Sequence, residues 1–321
     1  MPDITRETPL ISVILPVYNA GEFLRPCIDT LLNQTLRDIE IICVLDCPTD
    51  GSDKVIEEYA AKDDRIVVVR NEHNLNIGES RNVGLQIARG IYIGFSDHDD
   101  IHELDMYEKL YQATEHETSK MVLSGRIVVE NGLSTADGFR QNCLSYMMKS
   151  TAHITPHIFQ REVLVSNNLS FIDTKKTFGE DIIFFLQVVN AIESDSCISI
   201  VKDTLYHHIE TGHNTAGMVS YFSLQKLDLF AELCKKSLED GGFRQTIISD
   251  LPVLLVLKSY TLFRRLVANQ GFQFAIKMFK STIPKSSSCK EIFCGVPLSI
   301  KGLSLSKRFF LLWLKWVCRK K

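Results

Sequence analysis

The sequence predicts an α/β fold with a mostly parallel central sheet, helices on both faces of that sheet, and a helical C-terminal region. The first hundred residues alternate short β-branched runs with helix-like segments, an order typical of parallel sheets. Beyond residue 219 the apolar pattern is helical throughout. With 321 residues, 45% hydrophobic and 23% charged, the chain can bury a large core, which excludes collagen-like, disordered and disulfide-dense classes.

The predicted elements of the α/β part follow one another at short intervals. Continuous β-branched apolar runs, typical of buried strands, cover residues 11–15, 39–45, 66–69 and 91–95. Apolar residues at three-and-four spacing predict helices over residues 22–33, 53–62 and 79–88. We expect Gly90 to end the third helix as its C′ glycine. Further strands are predicted over 121–123, 127–130 and 197–201, with a turn at 132–138 and helices over 160–167 and 181–191.

The C-terminal part is predicted to contain helices over residues 221–236, 243–269 and 272–279. Three consecutive serines, 286–288, form a short linker before a basic last segment. We therefore expect an α/β domain over residues 1–218, a helical region over 219–285, and a linker with a tail over 286–321.

The tail carries an unusual charge. The whole chain has a formal net charge of −3, yet residues 292–321 hold seven Lys and Arg residues and no Asp or Glu. Residues 305–321 predict a short amphipathic helix, with Arg308, Lys315 and Arg319 on one face and Phe, Leu and Trp over much of the rest. We expect residues 303–321 to contact an anionic membrane surface. The alternatives are a helix packed on its own domain or on a second copy in a homo-oligomer.

Charge and cysteine usage indicate the compartment and partners. A mildly acidic chain lacks the basic stripe of a nucleic-acid binder, so we expect no nucleic-acid partner. The nine cysteines form no CxxC pair and lie mostly in apolar stretches, as expected for reduced thiols. The N-terminus lacks a signal peptide's apolar region, and no run reaches the roughly 18 to 20 apolar residues of a membrane span. We expect a cytoplasmic protein, peripheral on the cytoplasmic face of the inner membrane.

The strongest chemical signal is the acidic run that follows the fourth predicted strand. Ligands of parallel sheets bind beyond the carboxyl ends of the strands, where Asp97 and Asp99 would lie. Crowded carboxylates suit Mg²⁺ or Mn²⁺, which could stabilise a diphosphate leaving group. The alternative is a solvated acidic turn or a helix N-cap.

Two other polar segments follow strands. Asp46, after the second strand, is placed to accept hydrogen bonds from a base or ribose, whereas Asp50 and Ser52 cap the next helix. Arg81 lies near a Gly-, Ser- and Asn-rich helix start, where it could meet phosphate oxygens. The alternative for Arg81 is an ordinary surface arginine on an amphipathic helix.

A second carboxylate pair, Glu180 and Asp181, stands at a predicted helix start. The helix dipole is a sufficient structural reason for two acids there, but a displacement reaction also needs a general base apart from its metal site. His207, His208 and His213 could add a metal or phosphate ligand, although a lone histidine is more often structural.

Four segments together resemble glycosyltransferase family 2 proteins of the GT-A fold. They are ISVILPVYNAGEFLRPCIDTLLNQT (11–35), IEIICVLDCPTDGSD (39–53), NLNIGESRNVGLQIARGIYIGFSDHDD (74–100) and FGEDIIFFLQV (178–188). The resemblance extends over about residues 10–210 and not into the C-terminal third. It implies a Rossmann-like catalytic domain whose nucleotide-sugar half covers about residues 1–100 and whose acceptor half covers about 101–218.

The resemblance implies inverting transfer of a sugar from a nucleotide-diphosphate donor, such as a UDP-sugar, with Mn²⁺ or Mg²⁺. The acceptor implied is a glycan or lipid-linked oligosaccharide in surface polysaccharide, O-antigen or capsule synthesis. Carried over residue by residue, the resemblance implies a base pocket lined by Pro16, Val17 and Tyr18, and nucleotide contacts by Asp46, Arg81 and Asp97. It implies a metal ion bound by Asp99 together with Asp97 and His208. Asp181 would be the general base, and Glu180 would orient the acceptor or the base.

Two departures from the family pattern leave alternatives open. Leu45 stands where the family has a first acid, and His207 or His208 stands where it usually has an arginine near the diphosphate. A catalytically degenerate GT-A protein that binds a membrane-associated partner is therefore one alternative. A sugar nucleotidyltransferase is the other, but it would need a Gly-rich basic loop where this chain has Pro16 to Asn19.

Overall fold

The computed structural model describes residues 8–125, 138–140, 143, 154–209, 224–242, 244–283, 293–295 and 303–319. Its strands are β1 Ile11–Val17, β2 Ile39–Leu45, β3 Ile66–Arg70, β4 Tyr92–Phe95, β5 Ile101–His102, β6 Met121–Ser124, β7 Ile158–Gln160, β8 Ile198–Val201 and β9 Tyr206–His207. Its helices are α1 Leu24–Leu32, α2 Ser52–Ala60, α3 Asn76–Ile87, α4 Met106–Gln112, α5 Arg161–Ser166, α6 Glu180–Ala191, α7 Leu224–Asp240, α8 Arg244–Gln270, α9 Phe272–Thr282 and α10 Leu305–Arg319. The predicted strand at 127–130, all but the last residue of the predicted turn at 132–138, and His213 lie outside the described residues.

The central sheet has the predicted mostly parallel character. Its seven strands run in the order β3-β2-β1-β4-β7-β6-β8, and β7 alone among them is antiparallel to both neighbours. Alternate side chains of β1 enter two separate hydrophobic clusters, with Ile14 in one and Val13 and Leu15 in the other. Both faces of the sheet are therefore covered, as continuous apolar strands require.

Three short strands escape sequence prediction. β7 has three residues and runs directly into α5, so its residues merge with the predicted helix over 160–167. β5 and β9 have two residues each and pair with one another in a small second sheet. Strands of this length are too short to show a period.

The expectation that Gly90 ends the third helix as its C′ glycine is wrong. Helix α3 ends at Ile87, and its C-cap residue Ala88 is extended. A Cβ on Gly90 would lie 2.4 Å from the backbone nitrogen of Ser12, so this glycine permits close approach of the chain to β1. The same helix begins at Asn76, three residues before the predicted start.

The C-terminal helices pack around one aromatic cluster. Phe263 of α8, Phe279 of α9, and Phe310 and Trp313 of α10 have ring centroids 5.3–5.9 Å apart. One face of the tail helix therefore packs on its own domain, which was one alternative for this segment. Within the described part of the chain, no helix is both long and apolar enough to cross a bilayer. The expected domain boundaries at 218 and 285 stay predictions.

Candidate active site

The candidate site lies where the central strands β1, β2 and β4 end. These strands are mutually parallel, so the loops that follow them share one edge of the sheet. The loop after β4 carries Asp97, Asp99 and Asp100. Burial raises the pKa of the Asp99 carboxyl, and the charges of Asp97 and Asp100 raise it further, while His98 opposes them. Negative charge is therefore concentrated at this edge.

A buried arginine joins the two carboxylate groups that the sequence shows as separate motifs. The Arg81 side chain on α3 is 3% exposed, and its Nη2 donates to Oδ1 of Asp97 at 2.7 Å. Its Nη1 lies 3.6 Å from Oε1 of Glu180 at the start of α6. The surface-arginine alternative is therefore wrong. The guanidinium bridges Asp97 and Glu180, and its expected contact with a diphosphate stays a prediction.

Glu180 and Asp181 form the first turn of α6. The preceding Gly179 has φ +71°, a left-handed conformation that lets the chain turn sharply into the helix. Oδ1 of Asp181 accepts a hydrogen bond from the backbone nitrogen of Ile182 at 2.8 Å. Glu180 is buried, whereas Asp181 is partly exposed. Of the two acids, Asp181 is the one that a substrate hydroxyl could approach.

Replacing Gly179 with alanine is expected to destabilise the protein by about 2–4 kcal/mol. A Cβ there would lie 2.6 Å from Cε2 of Phe230, and the left-handed backbone adds strain. Gly242→Ala is the matched control, because Gly242 has φ +72° but no atom lies within 4 Å of the position that its Cβ would take. The control should lose only about 1 kcal/mol in urea unfolding. Equal losses in both variants would show that the Phe230 contact does not matter.

Asp46 has an internal structural role. Its buried carboxylate accepts hydrogen bonds from the backbone nitrogens of Leu75 and Asn76 at 2.7 and 2.9 Å, and from Nδ2 of Asn71 at 2.8 Å. These bonds hold the segment that leads into α3. The carboxylate thus fixes the start of the helix that carries Arg81, and its expected contact with a base or ribose stays a prediction.

The three residues expected to line a base pocket differ in accessibility. Val17 is fully buried in the core, and Pro16 is buried with its carbonyl oxygen 3.3 Å from Nδ1 of His98. Tyr18 is 47% exposed. Among these three, only Tyr18 presents a ring to solvent at this edge of the sheet.

Sequence reasoning missed a buried network centred on Asp100. Its carboxylate accepts a hydrogen bond from the Tyr206 hydroxyl at 2.5 Å, one from the backbone nitrogen of Ile209 at 2.9 Å, and one from Nδ1 of His208 at 3.0 Å. The Tyr206 hydroxyl in turn accepts from the backbone nitrogen of Asp97 at 3.2 Å. The network therefore ties the strand β9 to the acidic loop.

The same network engages one ring nitrogen of His208. The hydrogen bond to Asp100 is the main cause that raises the pKa of His208 to about 9. Nδ1 of His208 is thus occupied by Asp100, and the expected role of His208 as a metal ligand stays a prediction. The neighbouring His207 contacts Glu103, with Nε2 2.7 Å from Oε1. The sequence signal that could have revealed the Asp100 network is the position of Asp100 directly after Asp99.

Comparison with known proteins places the N-terminal part of this site in a family. The profile described as "Glycosyl transferase family 2" matches residues 12–165. These residues belong to glycosyltransferase family 2. The family 2 domain thus contains Tyr18, Asp46, Arg81, Asp97 and Asp99, while Glu180 and Asp181 lie beyond the matched segment and are joined to it through Arg81.

Two curated relatives of the family 2 domain are bacterial glycosyltransferases. The chain is 32% identical over 216 residues to the uncharacterized glycosyltransferase EpsJ of Bacillus subtilis, covering 63% of this chain and 61% of EpsJ. It is 30% identical over 207 residues to the poly(ribitol-phosphate) beta-glucosyltransferase of Bacillus spizizenii, covering 62% of this chain and 32% of that protein. The matched region therefore spans less than two thirds of the length of either relative.

A solved structure resembles nearly the whole chain. Residues 1–349 of TarS from S. aureus, crystallised with UDP-GlcNAc, match with a TM-score of 0.64 at 18% identity, covering 96% of this chain and 88% of that one. At this identity the likeness concerns the fold. It confirms the GT-A fold around the family 2 domain, together with the helical C-terminal region.

Proposed function

We propose that the protein is an inverting glycosyltransferase that moves a sugar from a nucleotide-diphosphate donor, a UDP-sugar, to an acceptor hydroxyl. The observation that carries the proposal is the bridge made by Arg81. It brings the acidic loop of Asp97 and Asp99 next to Glu180 and Asp181, two groups separated by more than eighty residues in the sequence. A displacement reaction needs a leaving-group site and a base close together, and this arrangement would supply both.

The donor would bind across the ends of β1 and β4. Tyr18 offers an exposed ring on which a base could stack. Asp46 would act from behind this pocket by holding the segment that leads into α3. UDP is the proposed nucleotide because TarS, which shares the fold, was crystallised with UDP-GlcNAc.

The acidic loop fits a divalent cation, Mn²⁺ or Mg²⁺. Among the described residues, no group of three or more His, Cys, Asp or Glu could hold an ion alone. Such cations are, however, commonly bound by one or two carboxylates together with substrate phosphates. Asp99 would be the main ligand, with Asp97 beside it. Burial, together with the charges of Asp97 and Asp100, raises the pKa of Asp99, and a bound cation would offset both effects. When bound, the cation would neutralise charge on the departing diphosphate.

In the proposed mechanism Asp181 accepts the proton of the acceptor hydroxyl. The hydroxyl oxygen attacks the anomeric carbon while the bond from that carbon to the diphosphate oxygen breaks, so the configuration inverts in one step. Glu180 would orient the acceptor or Asp181 from its buried position at the start of α6. Arg81 is a positioning residue, because its guanidinium fixes Asp97 and Glu180 relative to each other.

The acceptor would be a glycan or lipid-linked oligosaccharide in surface polysaccharide synthesis. The relative that acts on poly(ribitol-phosphate) supports a cell-surface polymer as the class. We assign donor binding to residues 1–100 and acceptor binding to residues 101–218, with the reaction in the cytoplasm.

A screen of nucleotide-diphosphate sugars for hydrolysis, with and without Mn²⁺, tests the proposal. We expect hydrolysis of at least one UDP-sugar, dependent on the cation and reduced in Asp99→Ala. Absence of turnover with every donor, together with normal folding, would favour the catalytically degenerate alternative.

A further inference from the structure

The tail helix α10 has an apolar stripe that is partly exposed to solvent. Four large apolar side chains between 44% and 71% exposed repeat at intervals of four, three and four residues: Leu305, Phe309, Leu312 and Trp316. At 100° per residue they fall within an arc of about 60°. Ordinary surfaces carry scattered apolar residues, so a single stripe of four on one helix indicates an interaction surface.

The stripe is not an edge of the core. The buried residues of α10, namely Phe310, Leu311, Leu314, Val317 and Cys318, lie on the opposite side of the helix. That side is already occupied by the aromatic cluster with Phe263 and Phe279. The helix is therefore apolar on two faces, of which one is packed and the other faces solvent.

Basic side chains border the stripe. On the helical wheel Arg308, Lys315 and Arg319 form one row along its flank. From the neighbouring helix α9, Nζ of Lys280 lies 5.3 Å from the centre of the Trp316 ring. Aromatic rings beside Lys and Arg are typical of helices that lie at a membrane surface.

The charge of the whole C-terminal region identifies the partner. Residues 251–321 contain fourteen Lys and Arg residues and one acid, Glu291, whereas residues 1–250 contain 22 Lys and Arg against 38 Asp and Glu. The chain is thus strongly polarised, with its cationic end carrying the exposed stripe. An anionic surface attracts this end and repels the acidic domain.

We propose that α10 docks in the plane of an anionic lipid bilayer, with Leu305, Phe309, Leu312 and Trp316 in the interface and the bordering cations on the lipid headgroups. The fifteen-residue helix, about 22 Å long, would lie along the surface. The docking does not depend on the proposed function, because it requires no donor or acceptor.

Co-sedimentation of the full chain with vesicles tests the proposal. The vesicles are phosphatidylcholine alone or phosphatidylcholine with phosphatidylglycerol. We expect binding to the anionic vesicles only, weakened by salt, and reduced about tenfold or more in Phe309→Ser/Trp316→Ser. The double variant Lys280→Gln/Arg319→Gln should bind the anionic vesicles less tightly, and its binding should depend less on the salt concentration. Val165→Ser, at a side chain 55% exposed in the α/β domain, is the matched control and should bind normally.

Three results would overturn the proposal. The first is the absence of anionic-vesicle binding in the natural chain, and the second is unchanged binding in Phe309→Ser/Trp316→Ser. The third is a lipid-independent dimer that this variant abolishes, because the stripe would then bind a second copy. Circular dichroism and thermal unfolding of each variant check folding, and the exposure of both substituted side chains predicts little change.

Discussion

Replacing Asp181 with asparagine is expected to reduce sugar transfer by about 10²–10⁴-fold, the usual contribution of a general base. Asparagine has nearly the same shape and keeps an oxygen that can accept the hydrogen bond from the Ile182 nitrogen. It cannot accept the proton of an acceptor hydroxyl. The loss should therefore appear in kcat for transfer, measured with a donor identified in the hydrolysis screen.

The control for this substitution is Asp53→Asn. Asp53 is also an acid in the first turn of a helix, α2, but it lies outside the candidate site. Asp53→Asn tests whether the loss of a negative charge at a helix N-terminus is enough to reduce sugar transfer. Such a loss lowers stability by only about 0.3–1 kcal/mol. Transfer by Asp53→Asn should stay near that of the natural chain. Near-normal transfer by Asp181→Asn would remove Asp181 from the role of base.

Replacing Arg81 with methionine is expected to lower the free energy of unfolding by about 3–5 kcal/mol. Methionine retains much of the side chain's volume and its packing near Phe171, but it leaves the carboxylates of Asp97 and Glu180 without their shared cation. Loss of the cation beside Glu180 contributes more to this decrease than its loss beside Asp97, because the Glu180 side chain is only 9% exposed. Urea unfolding followed by circular dichroism measures the loss.

Arg25→Met provides the comparison for Arg81→Met. Arg25 pairs with Glu58 at 2.6 Å, but both side chains are close to half exposed. Exposed pairs contribute about 0–1 kcal/mol, so this variant should unfold nearly like the natural chain. Similar small losses in both variants would mean that the Arg81 bridge does not hold the two carboxylates together.

The sequence predicted the candidate site best where functional residues come directly after a strand. Four buried strands were readable from continuous apolar runs, and polar residues directly after them identified the edge of the sheet that carries Asp97 and Asp99. The same reasoning missed contacts that depend on distant pairing. Asp100 and Tyr206 are separated by more than a hundred residues, and their strands β5 and β9 have two residues each.

Residue type alone also did not reveal which contacts a residue makes inside the protein. The ligand contacts expected of Arg81 and Asp46 stay predictions, but the sequence did not show that their polar atoms also contact Asp97, Glu180 and the segment leading into α3. Gly90 was expected to end a helix, but it permits the close approach to β1. These roles depend on tertiary distances that no local pattern contains.

Calorimetry of UDP binding in the presence of Mn²⁺ tests the central claim that one edge of the sheet holds separate donor and base sites. It would compare the natural chain, Asp181→Asn and Asp99→Ala. We predict Mn²⁺-dependent binding of similar affinity in the natural chain and Asp181→Asn, and clearly weaker binding in Asp99→Ala. Absence of binding in the natural chain, or loss of binding in Asp181→Asn with retention in Asp99→Ala, would contradict the assignment.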